Sequence, residues 1–344
     1  MTEVDMAASV HARLAQAREA VLPSLREAVG ALHPHLALAG GYHFGWWTAD
    51  GEPSADAVPS KFLRASLVLL AAEAVGGSCH TAVPGAVAVE LLHNHSIVHD
   101  DVIDEDELRR GRRTVWSAYG AGTAVLVGDA LAAAAAGHLS QMDTAPARRA
   151  LAMLVDAFRR ICAGQAADLE LERSGVASVE DYLQMASDKT SALLACAAGI
   201  GATLSGADKA TIDQLQAACS DLGLAWQAAN DVEDIWGDPA VTGKPPLSDL
   251  RQGKLTLPVL AALTSDTPAG RELALCRASF TGSDLKDLEH IADLIIQAGG
   301  RTAAERLARE KLISAEAHLR KLQVPTSSRQ ALTALFRFIV TRSA

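Results

Sequence analysis

The chain has 344 residues, 49% of them hydrophobic but only 4% aromatic, and a formal net charge of −10. The acidic balance argues against a nucleic-acid partner, because phosphate backbones are bound by clustered Lys and Arg. Five cysteines without CxxC spacing argue against a zinc site or a disulfide framework. Because no apolar run reaches about 18 residues, we expect a cytoplasmic protein without an integral membrane segment.

Alanine and leucine dominate and β-branched runs are scarce, so we expect an all-α protein. Hydrophobic spacing and turn signals predict helices over residues 7–32, 60–75, 84–103, 114–139, 144–172, 179–205, 208–236 and 254–264, with a C-terminal group from about 284 to 342. Between the first two helices, residues 33–60 contain many Gly, Pro and Ser and predict a long irregular connection.

The simplest architecture is a single domain over residues 1–344, in which one large helical bundle surrounds a central apolar cavity. Within it we expect an N-terminal helix and irregular connection (1–58), a catalytic core (59–265) and C-terminal helices (266–344). Residues 190–204 are apolar nearly all round, which is typical of a helix in the centre of such a bundle. We expect the loops at one end to carry the chemistry.

The stretch HNHSIVHDDVIDEDELRRG (93–111) concentrates charge at the end of an apolar helix. Asp100 and Asp104 lie one turn apart with Asp101 beside them, and like charges at this spacing repel. A bound divalent cation offsets the repulsion directly, and Mg²⁺ takes carboxylate oxygens while sharing its shell with phosphates. A lone cluster of this kind is more often a solvated helix end.

A second cluster favours the metal interpretation. The stretch QAANDVEDIWGD places Asn230, Asp234 and Asp238 at successive fourth positions, with Asp231 adjacent, again after an apolar helix. The two clusters could face each other across one cavity. Arg and Lys residues that suit phosphate oxygens follow both clusters: Arg109, Arg110, Arg112, Arg113, Lys244 and Lys254. We therefore predict a site that handles a diphosphate on Mg²⁺.

Four ordered segments resemble the trans-isoprenyl diphosphate synthase (polyprenyl synthetase) family over roughly residues 40–265. They are ELLHNHSIVHDDVIDEDELRRGRRTVW, GQAADLELE, DKTSALLACAAGIGA and GLAWQAANDVEDIWGDPAVTGKPPLSDLRQGKLTLPVL. The resemblance implies the isoprenoid synthase type I fold, a homodimer, and a Mg²⁺-dependent prenyltransferase with three ions around the bound diphosphate. The implied reaction condenses an allylic prenyl diphosphate with isopentenyl diphosphate to give a C15–C20 polyprenyl diphosphate.

The resemblance also implies a role for each matching position. The metal ligands would be Asp100, Asp101 and Asp104 on one side of the allylic diphosphate and Asp231 and Asp234 on the other, with Asn230 and Asp238 in the second cluster. Contacts to the allylic diphosphate would come from Arg109, Lys189, Thr190 and Lys244, while Lys254 helps to close the site. Isopentenyl diphosphate would be bound by Lys61, Arg64, His93 and Arg110. Gln227 would face the developing carbocation.

Two departures from the family pattern leave alternatives open. The basic motif that reads GGKRLRP in the family is PSKFLRA here (59–65), and Asn230 stands where the family has Asp. The spacing of Asn230, Asp234 and Asp238 resembles the metal triad of class I terpene cyclases, which need no second substrate. The alternatives are a class I terpene cyclase acting on an allylic prenyl diphosphate and a non-catalytic partner subunit of a prenyl synthase.

Product length depends, in this family, on the fourth and fifth residues before the first Asp, which are Ser96 and His95 here. A large side chain at His95 predicts a short- to medium-chain product. The alternative is a core histidine bonded to a neighbouring carbonyl.

Overall fold

A computed structural model describes residues 3–54, 61–238, 247–278 and 285–341 of the chain. The helices are α1 (Glu3–Gly30), α2 (Pro34–His43), α3 (Leu63–Ala74), α4 (Cys79–Ile103), α5 (Val115–Tyr119), α6 (Ala121–Ser140), α7 (Ala145–Ser174), α8 (Val179–Ala186), α9 (Ala192–Leu204), α10 (Lys209–Trp236), α11 (Ser248–Arg251), α12 (Leu257–Leu263), α13 (Pro268–Ala278), α14 (Leu285–Gln297), α15 (Gly300–Lys321) and α16 (Thr326–Thr341). A π-helical turn (Ser187–Ser191), named the π turn below, joins α8 to α9, and the strands β1 (Leu108–Arg109) and β2 (Arg112–Arg113) pair antiparallel. The all-α prediction is confirmed.

Helix α2 lies inside the segment that was predicted to be irregular, so that prediction is wrong for residues 34–43. Pro34 occupies the first turn, where its missing N–H costs nothing, and the His33 side chain accepts a bond from the His35 N–H. Gly41 serves close packing, because a Cβ there would lie 2.0 Å from the Trp47 ring. Glycines that indicated a loop in the sequence therefore mark a contact between a helix and an indole.

Two predicted helices are interrupted. The helix predicted over 114–139 divides at Gly120, whose φ of 87° favours glycine. The helix predicted over 179–205 contains the π turn, which inserts one extra residue per turn and shifts the side chains that follow. The hydrophobic periodicity of the sequence did not reveal either interruption.

The described residues form two compact units. The first comprises Met1–Phe158, Leu193–Gln216 and Leu322–Ala334, and the second comprises Arg159–Ala192, Ala217–Lys321 and Leu335–Ala344. The predicted single domain with divisions near residues 58 and 265 stays a prediction.

In the first unit, α4 packs against α3 and α6 along a fully buried apolar face that includes Val87, Leu91 and Val98. Burying side chains of this size contributes roughly 1.5–3 kcal/mol each. Gly201 lets α9 approach α3, because a Cβ there would lie 2.0 Å from the Val68 carbonyl oxygen. This packing fixes the C-terminal end of α4, which carries the first acidic cluster.

In the second unit, α12 packs against α13, α14 and α15. Gly300 allows the closest approach, because a Cβ there would lie 2.1 Å from the Pro258 carbonyl oxygen. This packing fixes α12 and therefore the residue before it in the chain, Thr256, and the loop that contains Lys254.

His95 is 4% exposed and its ring lies between two others in the first unit. The ring centroids of His99 and Phe158 are 4.4 Å and 4.9 Å away, both in edge-on geometry. Burial lowers the pKa of His95 to about 4, so the ring is neutral at pH 7. A hydrogen bond to the Gly128 backbone opposes that shift and agrees with the core-histidine alternative.

The depressed pKa predicts a loss of stability in mild acid. The folded state holds fewer protons than the unfolded state, so the stabilisation exists above pH 6.5 and disappears as the pH falls toward 4. Between pH 7.5 and 5.5 the contribution of His95 to the free energy of unfolding should fall by about 1.3 kcal/mol. Urea unfolding at the two pH values should show a loss that is about 1.3 kcal/mol larger in the wild type than in His95→Phe, because the other titrating groups are common to both proteins. The exposed His80→Phe serves as the control and should behave as the wild type, and equal pH dependence in all three proteins would contradict the assignment.

Candidate active site

The first acidic cluster lies at the C-terminal end of α4, in the first unit. Asp101 is 1% exposed and accepts a bond from Arg109 Nε at 2.5 Å, while Asp100 and Asp104 are partly buried. Burial raises the pKa of Asp101 to about 6, and the Arg109 guanidinium opposes that rise. The middle carboxylate of the cluster is thus bound to an arginine, and its two neighbours flank it.

The RRG motif forms the turn of the hairpin that follows. Arg110 and Gly111 have φ values of 54° and 74°, the pattern of a type I′ turn, which suits a two-residue connection between strands. Arg112 donates to the carbonyls of Tyr42 and Trp47 at 3.2 and 3.1 Å, so it fastens the hairpin to the segment after α2. Arg109 is paired with Arg112 across the two strands.

A pocket opens beside this hairpin. Its lining includes Tyr42, His43, Asn94, Asp101, Arg109 and Arg110. His43 Nε2 pairs with Asn94 Oδ1 at 2.9 Å, and burial lowers the pKa of His43 to about 4, so the ring is neutral. Because the arginines carry charge at pH 7 and the histidine does not, an anion suits this pocket better than a cation.

Arg64 and His93, which are partly buried, lie close to the buried Glu90 near the start of α3. Arg64 Nη1 lies 2.9 Å from His93 Nε2, and because arginine only donates, Nε2 must be the acceptor and Nδ1 must carry the proton. Burial and the Arg64 charge lower the pKa of His93 well below its usual value, which agrees with a neutral ring. Glu90 is 1% exposed and its Oε1 accepts from the Ala65 N–H at 3.0 Å. Two of the residues predicted to bind isopentenyl diphosphate are therefore in contact.

A second group of predicted residues meets in the second unit. Lys189 Nζ contacts Asp168 Oδ2 at 2.6 Å, and the Thr190 hydroxyl donates to Gln227 Oε1 at 2.8 Å. Gln227 Nε2 in turn donates to Asp231 Oδ1 at 3.0 Å. These bonds orient the Gln227 amide with its oxygen toward the π turn.

Asp231 is 2% exposed and both of its oxygens accept hydrogen bonds from the protein. Oδ2 accepts from the Tyr182 hydroxyl at 2.6 Å and from the Leu257 N–H, the first residue of α12, at 2.9 Å. Burial raises the pKa of Asp231 to about 6, and the three donors oppose that rise. The carboxylate therefore caps a helix whatever else it binds.

Asp234 has the same structural role at a position one turn later. Its two oxygens accept from the Ser248 hydroxyl at 2.8 Å and the Asp249 N–H at 2.9 Å, at the start of α11. The Leu247 N–H also donates to the Asp234 carbonyl oxygen at 3.1 Å. Of the other two residues in the second cluster, Asn230 is partly buried and Asp238 is exposed.

The donor chemistry of the first cluster fits Mg²⁺. Asp100 and Asp104 offer carboxylate oxygens at one helix end, and Mg²⁺ commonly completes its shell with water and substrate phosphate rather than with a full protein cage. The described residues contain no group of three His, Cys, Asp or Glu side chains already arranged around one point. The second cluster fits less directly, because its two buried carboxylates already accept bonds and Asn230 has no charge.

The remaining predicted residues are placed as follows. Lys61 is exposed before α3, Ser96 donates to the His93 carbonyl at 2.8 Å, and Lys254 Nζ lies 3.9 Å from Glu172. Lys244 lies outside the described residues. Sequence reasoning missed Glu90, which a lone acid in the apolar run AVAVELL signalled, and Tyr182, for which the sequence offers no signal.

Comparison with known proteins shows which family the chain belongs to. Residues 52–295 match the polyprenyl synthetase family model. The chain is 44% identical to a geranylgeranyl diphosphate synthase of Mycobacterium tuberculosis, over 90% of this chain and 88% of that protein. It is 39% identical to a (2E,6E)-farnesyl diphosphate synthase of Mycobacterium bovis, over 96% and 93%. A polyprenyl synthetase structure from Streptomyces coelicolor aligns with a TM-score of 0.90 at 42% identity, covering 96% of this chain and 99% of that one. This chain therefore belongs to the polyprenyl synthetase family, which is a family of enzymes.

Proposed function

We propose that the chain is a Mg²⁺-dependent prenyltransferase that condenses an allylic prenyl diphosphate with isopentenyl diphosphate to a C15–C20 polyprenyl diphosphate. The observation that carries the proposal is the contact between Arg64 and His93, with Glu90 fixing the backbone beside them. A cyclase needs no second cationic group, whereas a synthase needs one for its second diphosphate. The relatives at 44% and 39% identity support products of this length.

Arg109 and Lys189 are each predicted to contact the allylic diphosphate. Arg109 lines the pocket beside the first cluster, and Lys189 projects from the π turn of the second unit. A diphosphate would compete with Asp168 for the Lys189 ammonium, because a more highly charged anion offers a stronger charge-assisted bond. Thr190 sits next to Lys189 in the π turn, with its hydroxyl on Gln227. Contributions from Lys244 and Lys254 stay predictions.

Asp100 and Asp104 would hold Mg²⁺, with Asp101 kept in place by Arg109. When bound, Mg²⁺ neutralises charge on the departing pyrophosphate and so favours ionisation of the allylic carbon–oxygen bond. Ligation by Asp101, Asn230, Asp231, Asp234 and Asp238, and the number of three ions, stay predictions.

The Gln227 amide offers an oriented dipole to the carbocation that forms. Its amide nitrogen is bound to Asp231, so the amide oxygen keeps a fixed direction and its second lone pair can face positive charge. The diphosphate of isopentenyl diphosphate is bound by Lys61, Arg64, His93 and Arg110. Its double bond then attacks the cation, and proton loss completes the product. No protein nucleophile is required.

The cyclase alternative rests on the spacing of Asn230, Asp234 and Asp238. Asp234 has both carboxylate oxygens bonded at the start of α11, so it has a structural role in either function, and the contact between Arg64 and His93 is what favours the synthase. The partner-subunit alternative would be supported by loss of the acidic residues, which are present here.

We also infer a homodimer, through α6. By length and composition alone, this helix is apolar enough and long enough to cross a membrane, but only 33% of its apolar stretch is buried within the protein. It packs against α4 with one face and exposes Val125 and Leu126 on another. A second copy that covers this face would remove the exposed apolar surface, as is usual for such patches. The cytoplasmic location stays a prediction.

Mass spectrometry of products tests the proposed function. Purified protein is incubated with Mg²⁺ and geranyl, farnesyl or geranylgeranyl diphosphate, each with and without isopentenyl diphosphate. We expect longer diphosphates only when isopentenyl diphosphate is present. In Asp100→Ala the rate of product formation should fall about 100-fold or more, because Mg²⁺, which neutralises the departing pyrophosphate, loses one oxygen ligand. Hydrocarbons or alcohols formed from an allylic diphosphate alone would establish the cyclase instead. If the protein alone forms no product, but a mixture with a related synthase subunit gives altered products, the chain is a non-catalytic partner subunit.

Product length tests the cluster of three rings formed by His95, His99 and Phe158. If this cluster closes the space available to the growing chain, His95→Ala should give a product at least one C5 unit longer, because the truncation removes one ring of the cluster. His138→Ala on α6 is the matched control and should leave the length unchanged. A His95→Ala enzyme with the wild-type product would show that His95 is only a core residue.

A further inference from the structure

The π turn lies between two helix faces that match it closely. On α7, a Cβ at Gly164 would be 2.3 Å from the Lys189 nitrogen. On α10, a Cβ at Gly223 would be 2.4 Å from the Ser191 hydroxyl and 2.5 Å from its Cα. The backbone of the π turn is therefore in direct contact with a glycine on each side. All of these residues belong to the second unit.

On α7, three residues at four-residue spacing meet the π turn in order. Arg160 contacts Asp188, Gly164 contacts the Lys189 backbone, and Asp168 binds the Lys189 ammonium. Residues at this spacing lie on one helix face, so a single face of α7 makes all three contacts with the π turn. Two of the three belong to the GQAADLELE segment, and Arg160 lies before it.

Arg160, the first of these three residues, donates hydrogen bonds to two residues of the π turn. Its Nε donates to Asp188 Oδ1 at 2.7 Å, and its Nη2 donates to the Ser187 hydroxyl at 3.2 Å. The other Asp188 oxygen accepts from Gln184 Nε2 at 2.8 Å. The Arg160 and Asp188 side chains are only 32% and 19% exposed, which limits screening by water and salt.

Such a contact has a physical purpose in this position. A π-helical turn is rare, since its hydrogen bonds are less favourable than those of an α-helix, and single turns of this kind occur often at functional sites. If the turn returned to α-helical geometry, the Lys189 and Thr190 side chains would point in other directions relative to α8. A charge-assisted bond at the first two residues of the turn opposes that return.

We propose that Arg160 is a positioning residue, which acts through Asp188 to keep the π turn formed and so directs Lys189 and Thr190 toward the allylic diphosphate. The proposal rests on the proposed function for the identity of that ligand. The geometry of the Arg160–Asp188 pair itself does not depend on it.

Hydrogen exchange of the ligand-free protein, read by mass spectrometry, tests the structural half of the proposal. The variants are Arg160→Gln and Asp188→Asn. The control is Arg148→Gln, on the same helix as Arg160, which breaks an exposed ion pair with Asp143. We expect amide exchange over residues 187–191 to rise about 10-fold or more in both variants, as loss of a charge-assisted bond implies, and to stay unchanged in the control. Exchange at the wild-type rate in both variants would overturn the proposal.

Steady-state kinetics tests the functional half. In Arg160→Gln, kcat/KM for the allylic diphosphate should fall about 10-fold while KM for isopentenyl diphosphate stays within about twofold. Arg160→Lys should recover some of the loss because it keeps the charge, and the double variant with Asp188→Asn should be no worse than either single variant. Equal losses for both substrates, or additive losses in the double variant, would overturn the positioning role.

The two measurements separate this proposal from the proposed function. Wild-type protein that forms no longer diphosphate would overturn the proposed function, yet the exchange data would still decide whether Arg160 maintains the π turn. If Arg160→Gln does not fold, Asp188→Asn provides the same test with a smaller change.

Discussion

Three buried carboxylates are each bonded to a backbone N–H at the start of a helix. Glu90 accepts from Ala65 at the start of α3, Asp231 from Leu257 at the start of α12, and Asp234 from Asp249 at the start of α11. The first N–H groups of a helix have no partner within it, so a carboxylate there supplies a missing acceptor and complements the helix dipole. The acids of the core helices therefore decide where these shorter helices begin.

The helices that are held in this way carry or follow basic residues. Lys61 and Arg64 lie at the start of α3, and Lys254 lies between α11 and α12. Each unit thus contains its own version of one arrangement, in which a buried acid fixes a backbone segment and that segment presents a cation. Glycines that would let a backbone approach phosphate are absent from PSKFLRA. Glu90 still binds the backbone N–H of Ala65, the residue that follows Arg64, so the backbone beside this cation is fixed.

The sequence was sufficient to predict the all-α fold. The two acidic clusters stand out from an apolar background at helical spacing, whereas Lys189 and Thr190 were singled out only by the resemblance to the family. Helix α2 was missed because Gly40 and Gly41 indicate a loop in sequence but serve packing in the fold. The π turn and the caps formed by Asp231 and Asp234 depend on residues far apart in sequence, such as Tyr182 and Leu257, which one sequence does not bring together.

Direct binding of isopentenyl diphosphate tests the central claim, that the first unit retains a site for a second substrate. The measurement is isothermal titration of the metal-free protein, because the assigned site uses cations and no metal ligand. We predict saturable one-to-one binding that weakens about 10-fold in Arg64→Gln, as expected for loss of one charge-assisted contact, and not in the exposed control Lys209→Gln. Absence of binding in the wild type, or equal affinity in Arg64→Gln, would contradict the account.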